Sequence, residues 1–291
     1  MRLMIGLENL IVLLVYGATL SGVWALISSG FTLIFGVCRL LNLAHGGLFI
    51  AGAYIGLSLI RSLGLDPLSS TVLSMLAVGV VGACVYIGLL AKVKEHEVTV
   101  VIITLALALI IEQVILLMFG EHGISFPPVL TGVIYLGDIP LPAIRVFGLA
   151  VALAALLLLG LFVSRTRIGK EITAASQDIE AATYIGLDVH RLFIVTMFVS
   201  SLLAGLGGVL YSQIYAANPF LVVKALIFAF AIVILGGLGS VKGSIVASFI
   251  VGYIMTAVIM FLGARWSELF ALLIIIAVLI IRPSGLFGVK E

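Results

Sequence analysis

Long apolar runs set the pattern of this chain. They lie near residues 8–29, 31–60 (interrupted), 69–91, 98–118, 142–163, 191–214, 223–240, 244–263 and 267–282. A helix needs about 20 apolar residues to cross a bilayer, and in lipid a helix satisfies its own backbone polar groups. The pattern predicts an all-α polytopic membrane protein with eight to nine transmembrane helices. No Ser/Pro-rich or low-complexity linker divides the runs, so residues 1–291 read as a single transmembrane domain. One segment breaks the pattern. Residues 164–191, SRTRIGKEITAASQDIEAATYIGLDVHR, hold Arg165, Arg167, Lys170, Glu171, Asp178, Glu180, Asp188 and Arg191. That charge excludes the segment from hydrocarbon. Within it Ile168, Ile172, Ala175, Ile179 and Ala182 recur at helical spacing and form one stripe. Asp178 is placed to cap a short helix running through Glu180, Ala181 and Ala182. Gly186 stands where a left-handed C-terminal cap belongs. The segment reads as two short helices with a tight stop, presenting a small-residue surface at Ala181 and Ala182 over which another protein could pack.

Composition sharpens this picture. The chain is 63% hydrophobic and 10% charged, against about 25% charged residues in soluble domains, which excludes a soluble fold. The net charge of +2 carries no nucleic-acid signal. The positive residues matter by place, because Lys and Arg concentrate in cytoplasmic loops. Putting the polar segment, Arg39, Lys92, Lys94, Lys242, Arg282 and Lys290 on one side leaves Arg2, Arg61, Arg145, Lys224 and Arg265 on the other. That split places the C-terminus in the cytoplasm. The N-terminal topology stays open, because residues 29–46 read as either a span or a broken, re-entrant segment. The first apolar run lacks a signal-peptide cleavage pattern and reads as a retained span. The opposite face receives the loop 119–141, where Pro127-Pro128 prevents a continuous helix; it is either a plain connection or a rim for an external partner.

Candidate functional residues are few. Arg39, Asn42 and His45 form the most polar cluster near a span, and steps of three put them on one face if the segment is helical. They fit an interfacial turn or a broken-helix gate lining a pathway, the latter together with Gly46. Glu112 lies inside an apolar run, where a carboxylate is costly and a functional candidate by default. Gly236, Gly237 and Gly239 are candidates for unwound backbone, which lipid-embedded chains tolerate only beside a cavity or protein. Segments 34–55 and 234–255 echo each other as apolar, glycine, polar turn, glycine, apolar. His96, His122 and His190 read as solvated; Trp24 and Trp266 suit interfaces or packing. Cys38 and Cys84 lie far apart in apolar sequence and read as packing residues. A lone histidine among these candidates makes no metal site, no catalytic constellation appears, and no cofactor is expected.

Two motifs carry a resemblance. Glu180-Ala181-Ala182-x-x-x-Gly186 is similar to the EAA-x3-G core of the cytoplasmic loop in permease subunits of ABC importers. The longer pattern continues Ile-x-Leu-Pro, whereas this chain has Arg191-Leu192-Phe193 and no proline there. LIFGVCRLLNLAHGGLFIAGAYIG (33–56), VILGGLGSVKGSIVASFIVG (233–252) and IRPSGLFG (281–288) resemble branched-chain amino acid permeases of the LivH/LivM type, the first being closer to the LivH-type subunit. The resemblance implies an all-helical permease in a bacterial cytoplasmic membrane. Its implied partners are a second, LivM-type permease in a heterodimer, two ABC ATPases, an external solute-binding protein and membrane lipid. The implied ATPase-coupling residues are Asp178, Ile179, Glu180, Ala181, Ala182 and Gly186. The chain itself has no Walker A sequence; Gly169-Lys170 is followed by Glu171 and lacks the upstream glycine. The expected function is therefore transport by alternating access, driven by partner ATPases, and not catalysis. The alternative is an ion-coupled secondary transporter of small amino-acid-like or amide solutes, with Glu112 as its proton site.

Overall fold

In the computed structural model, residues 6–282 and 284–287 are described. The first two apolar runs meet differently from the sequence expectation. Helix α1 (Leu7–Cys38) passes unbroken through Ser28-Ser29-Gly30. The true interruption is 39–44, opened by Arg39 in the left-handed region at φ 55°. Helix α2 (His45–Leu63) follows. Ser28, Ser29 and Gly30 do not break α1 because they face inward: both serines are buried, and bare Gly30 admits the His45 ring and the Ser200 backbone. His45 thus packs beside Ile27 and Phe31 of α1, about seven residues short of its end. At 1.5 Å per residue, α2 begins about 10 Å inside the level where α1 stops.

The next hairpin is α3 (Pro67–Val85), extended by a π-helical turn (Tyr86–Leu90) into the short α4 (Ala91–Val93). Asp66 caps α3 by accepting from the Ser69 N–H at 3.0 Å. Helix α5 (Glu97–Phe119) runs parallel to α2, with Thr104 bonded to the Leu41 carbonyl and Phe119 packed edge-on against Tyr54. Loop 120–132 contains no helix, and a small antiparallel hairpin follows, β1 (Val133–Leu136) with β2 (Ile139–Pro142). Then come α6 (Ala143–Arg165), the polar pair α7 (Arg167–Gln177) and α8 (Ile179–Tyr184), and α9 (Val189–Ile214). The chain closes with α10 (Leu221–Gly236), α11 (Val241–Phe261) and α12 (Ala264–Ile281).

Among the described residues, eight helices are long and apolar enough to cross a membrane, and α10, at 16 residues, is shorter. The run expected at 223–240 ends early because Gly237 and Gly239 take positive φ. Helix α9 is the hub, packed by α1, α2, α3 and α6. Its small residues set the distance: a Cβ on Gly205 would crowd Val78 of α3, and one on Gly208 would fall 2.7 Å from the Phe49 carbonyl carbon of α2. Small residues at such crossings let helices approach in lipid, where dispersion replaces hydrophobic driving force. Trp24, expected at an interface or in packing, is buried in the core, stacked on Phe49 and tilted against Phe228.

The two echoing segments form two similar helix–turn–helix units, α1–α2 and α10–α11. They turn on the same face, where a Cβ on Gly36 would meet Gly239 Cα at 3.2 Å. That face also carries the ends of α3 and α6 and the start of α9, since Tyr86 bonds His190. The segment after α12 returns there too: Leu286 and Phe287 donate N–H bonds to the Leu235 and Gly236 carbonyls at the end of α10. Arg61, Arg145, Lys224 and Arg265 lie at the opposite face, with Lys224 paired to Glu268. Arg2 and Lys290 lie outside the described residues.

Candidate coupling loop and transmembrane break

The polar loop is built by four consecutive caps. Thr166 accepts from the Gly169 N–H at 2.9 Å and starts α7. Asp178, extended at φ −152°, ends α7 and accepts from the Ala181 N–H at 3.0 Å to start α8. Gly186, at φ +85°, stops α8: its N–H bonds the Thr183 carbonyl and the Leu187 N–H bonds the Ala182 carbonyl. This pair of bonds is a Schellman stop. Asp188 then caps α9 through the Arg191 N–H at 3.1 Å. The expected two helices and tight stop are therefore present, and Arg167 and Glu171 pair along α7 at 3.1 Å.

The stripe faces inward as its spacing required: Ile172, Ala175 and Ala182 are buried and Ile168 and Ile179 pack against the core. This corrects one expectation. Ala182 belongs to the inner stripe and cannot present a surface to another protein; on the same short helix Ala181 and Glu180 point outward. The exposed tip is instead Tyr184 and Ile185, 86% and 74% accessible, immediately before Gly186. Sequence reasoning passed over this pair, although two large apolar residues wedged between a capped helix and its stop glycine in a polar loop are the available signal.

The polar cluster separates. Residues 39–44 are not helical, so Arg39, Asn42 and His45 do not share a helical face as steps of three would require. Arg39 is exposed, whereas Asn42 and His45 are buried. Asn42 accepts from the Ala44 N–H at 3.1 Å, organising the entry into α2, and its amide reaches the Met197 sulfur of α9. His45 Nε2 lies 3.1 Å from the Ile27 carbonyl and donates to it. Gly46 faces α10: a Cβ there would fall 2.9 Å from Leu226 Cβ. Glu112 sits on the face of α5 that carries Thr104, Ala108 and Ile115; it is buried, and its Oε2 takes no hydrogen bond from described residues.

Gly236 is the last helical residue of α10 and packs against the start of α11, so only Gly237 and Gly239 of that trio are unwound. They unwind at the loop face and not in mid-membrane. Around Gly239 the structure gathers Arg39, Gly36, Ser176, Ser240 and Phe287 about a cavity of roughly 370 Å³. A second cavity of about 160 Å³ joins Ile172, Thr173 and Ser176 of α7 to Thr32 and Gly36 of α1 and to Gly239. Helix α7 therefore touches both chain breaks. Among the described residues no three His, Cys, Asp or Glu side chains come together to hold a metal.

Comparison with known proteins agrees with this architecture. Residues 13–279 match the family described as branched-chain amino acid transport system, permease component. The chain is 25% identical to the high-affinity branched-chain amino acid transport system permease protein LivH of Escherichia coli, over 94% of each chain. It is 24% identical to BraD, a permease protein of the same description from Pseudomonas aeruginosa, over 96% of this chain and 95% of the relative. A probable LivM permease of Methanocaldococcus jannaschii is 31% identical over 74% of this chain and 64% of its own length. In fold the chain is similar to PsaBC from Streptococcus pneumoniae, solved in complex with Fab, with a TM-score of 0.51 and 18% identity over 92% of this chain and 91% of that one.

Proposed function

The chain belongs to the branched-chain amino acid transport permease family, and from that premise we propose that it moves branched-chain or closely related amino acids by alternating access. It is a multi-pass membrane permease component of an ABC importer and not an enzyme. The family implies ATPase and binding-protein partners. The finer composition, a heterodimer with a LivM-type permease carrying two ATPases and an external binding protein, is part of the proposal.

One observation carries the proposal: the rigidly capped tip Tyr184-Ile185-Gly186, whose apolar side chains are exposed on the face richer in Lys and Arg. A protein groove that takes up this tip would gain apolar burial without distorting the loop. Excess Lys and Arg marks the cytoplasmic side, so ATPases would meet the tip there and the C-terminus would share that side. Motion of α8 reaches α7 through Asp178, and α7 meets Gly36 and Gly239 at the two breaks. In this mechanism Arg39 stands at the inner mouth of the gate, while Asn42 and His45 fasten the broken entry of α2 to α9 and α1.

Gly186→Arg tests the reading. A Cβ at Gly186 meets nothing within 4 Å, so the change strains a positive-φ tip and places a bulky charge on it without crowding the core. The expected result is loss of leucine uptake and of substrate-stimulated ATP hydrolysis, with normal membrane insertion. Uptake and coupling that survive intact would overturn the docking role.

A further inference from the structure

The membrane-facing surface contains a cleft that the transport reading leaves unused. Helices α3 and α6 both pack on α9 and leave a space of about 230 Å³ between them. Its floor is Leu206, Leu210 and Gln213 of α9, with Met75 of α3 and Ala155 and Leu158 of α6 along the walls. Val129, from the loop after α5, roofs it at the face opposite the α7–α8 loop. On α6 the lining runs from Phe147 to Leu158. At 1.5 Å per residue that is about 16 Å, close to half of the ~30 Å hydrocarbon thickness.

Polarity is graded along that length. The deep part is apolar. The polar groups, Gln213 and Thr71, stand within about one turn of the membrane-surface ends of α9 and α3. Gln213 Nε2 donates to Thr71 Oγ1 at 3.4 Å. Gln213 Oε1 is buried, accepts nothing from described residues and belongs to a side chain lining the cleft. An apolar space of about 150 Å³ already accepts a benzene-sized hydrocarbon. Left unfilled, this larger cleft would deprive its walls of their dispersion contacts.

We propose that the α3–α6 cleft binds one acyl chain of a phospholipid from the leaflet opposite the coupling loop, with a headgroup hydrogen-bond donor meeting Gln213 Oε1. The length of one leaflet, an apolar depth and an unpartnered buried acceptor in the floor near its membrane-surface end match a phospholipid that carries an ammonium or hydroxyl donor. A partner's apolar helix would match the depth but would have no donor for Gln213.

The test uses the full permease with its co-purifying subunits in nanodiscs containing phosphatidylethanolamine that bears a diazirine at the end of one acyl chain. After photolysis, adducts are mapped by mass spectrometry. Leu206 and Leu210 are 5% and 1% accessible, so bulk lipid reaches them only through the cleft. Adducts are expected on residues 206–213 as well as on Leu157, which faces lipid on α6. Ala155→Trp fills the cleft and should cut the 206–213 adducts at least fivefold while sparing Leu157. Val151→Trp serves the same purpose if the first variant does not fold. Gln213→Leu should abolish the preference for phosphatidylethanolamine over phosphatidylcholine, whose headgroup has no N–H. Labelling of Leu157 without labelling of 206–213 would overturn the proposal. So would equal 206–213 labelling in a folded cleft-filling variant, or 206–213 labelling that appears only once the partner subunits are stripped away, which would assign the cleft to a partner helix.

Discussion

Truncating Ile185 to alanine isolates the energetic role of the loop tip. Its side chain is 74% accessible, and its backbone N–H bonds the Ala181 carbonyl at 3.1 Å, a bond alanine keeps. The Schellman stop at Gly186 also survives, so the loop should hold its shape. What changes is the apolar surface offered to a partner. Each buried methylene is worth about 0.8 kcal/mol, and the substitution removes three carbons, of which three-quarters of the surface is available for docking. The loss is about 1.5–2 kcal/mol if the tip is fully buried in the complex. At about 1.4 kcal/mol per tenfold, ATPase binding should weaken roughly 10- to 30-fold, an upper bound because association also orders side chains. The assay is the dissociation constant between the permease in nanodiscs and its ATPase pair, by biolayer interferometry. Tyr184→Ala should behave alike. Leu157→Ala, which removes a comparably exposed side chain from the middle of α6, should leave the constant unchanged. Unaltered binding in both tip variants would refute the docking argument, and equal weakening in the α6 control would refute its localisation to the tip.

Three further outcomes are expected. Gly208→Ala would bring a methyl into the Phe49 backbone, which cannot yield as a side chain would, so overpacking should cost about 1–3 kcal/mol. Gly160→Ala, in open space within α6, should stabilise by about 0.5–1 kcal/mol; thermal unfolding read by reaction of buried Cys38 in a Cys84→Ser background would show the opposite signs, and matching signs would defeat the packing account. The Ser69 N–H holds the Asp66 carboxyl below the usual carboxylate range. A depressed folded value stabilises above the ordinary value and loses that contribution as pH falls through the folded one, so Asp66→Asn, which still caps α3, should shift the melting temperature at pH 6 and not at pH 2–3. Glu112→Gln separates the two transport mechanisms: ATP-driven uptake should persist in proteoliposomes, whereas abolished uptake would favour ion coupling at that carboxylate.

How far the fold could be read in advance follows from where the chain meets water. In the loop 164–191 Asp178 and Gly186 were legible as caps because they act on their own neighbours in sequence, and Thr166 and Asp188, not picked out from the sequence, cap α7 and α9 by the same local bonding. The spans from α3 onward followed from composition, except that α10 stops at Gly236 where positive-φ glycines cut short the run expected at 223–240. The break in α1–α2 did not. Ser28, Ser29 and Gly30 look like an interruption, yet both serines are simply buried within the continuous helix, and Gly30 is bare because His45 fills its space. The actual break rests on a left-handed Arg39 and an Asn42 turn fastened to α9, contacts between residues more than 150 positions apart that no local period reveals. The same reason hid the cleft between α3 and α6, whose lining comes from three helices and a loop.

The division between legible and hidden residues bears on mechanism. The tip is local and rigid; the proposed gate is assembled from distant parts. Asp178 alone separates α7 from α8 and is the shared cap of both, so a force on Tyr184 and Ile185 has one extended residue to cross before reaching a continuous helix. That helix is clamped at its start, where a Cβ on Gly169 would lie 2.6 Å from Val163 Cα of α6. Its other end lines the cavities that contain Gly36, Arg39 and Gly239. A lever fixed at one end and loaded near the other moves most where Ser176 meets the two glycine-lined breaks. There the closest backbone approach is between two glycines, Gly36 and Gly239, one turn from the Thr32–Ser244 hydroxyl contact that ties α1 to α11. Packed helix surfaces resist small shear, because interiors are close-packed, whereas Gly36 against Gly239 offers a contact that can part and re-form. In the proposed importer, that contact is where work done at the tip would open the inner face.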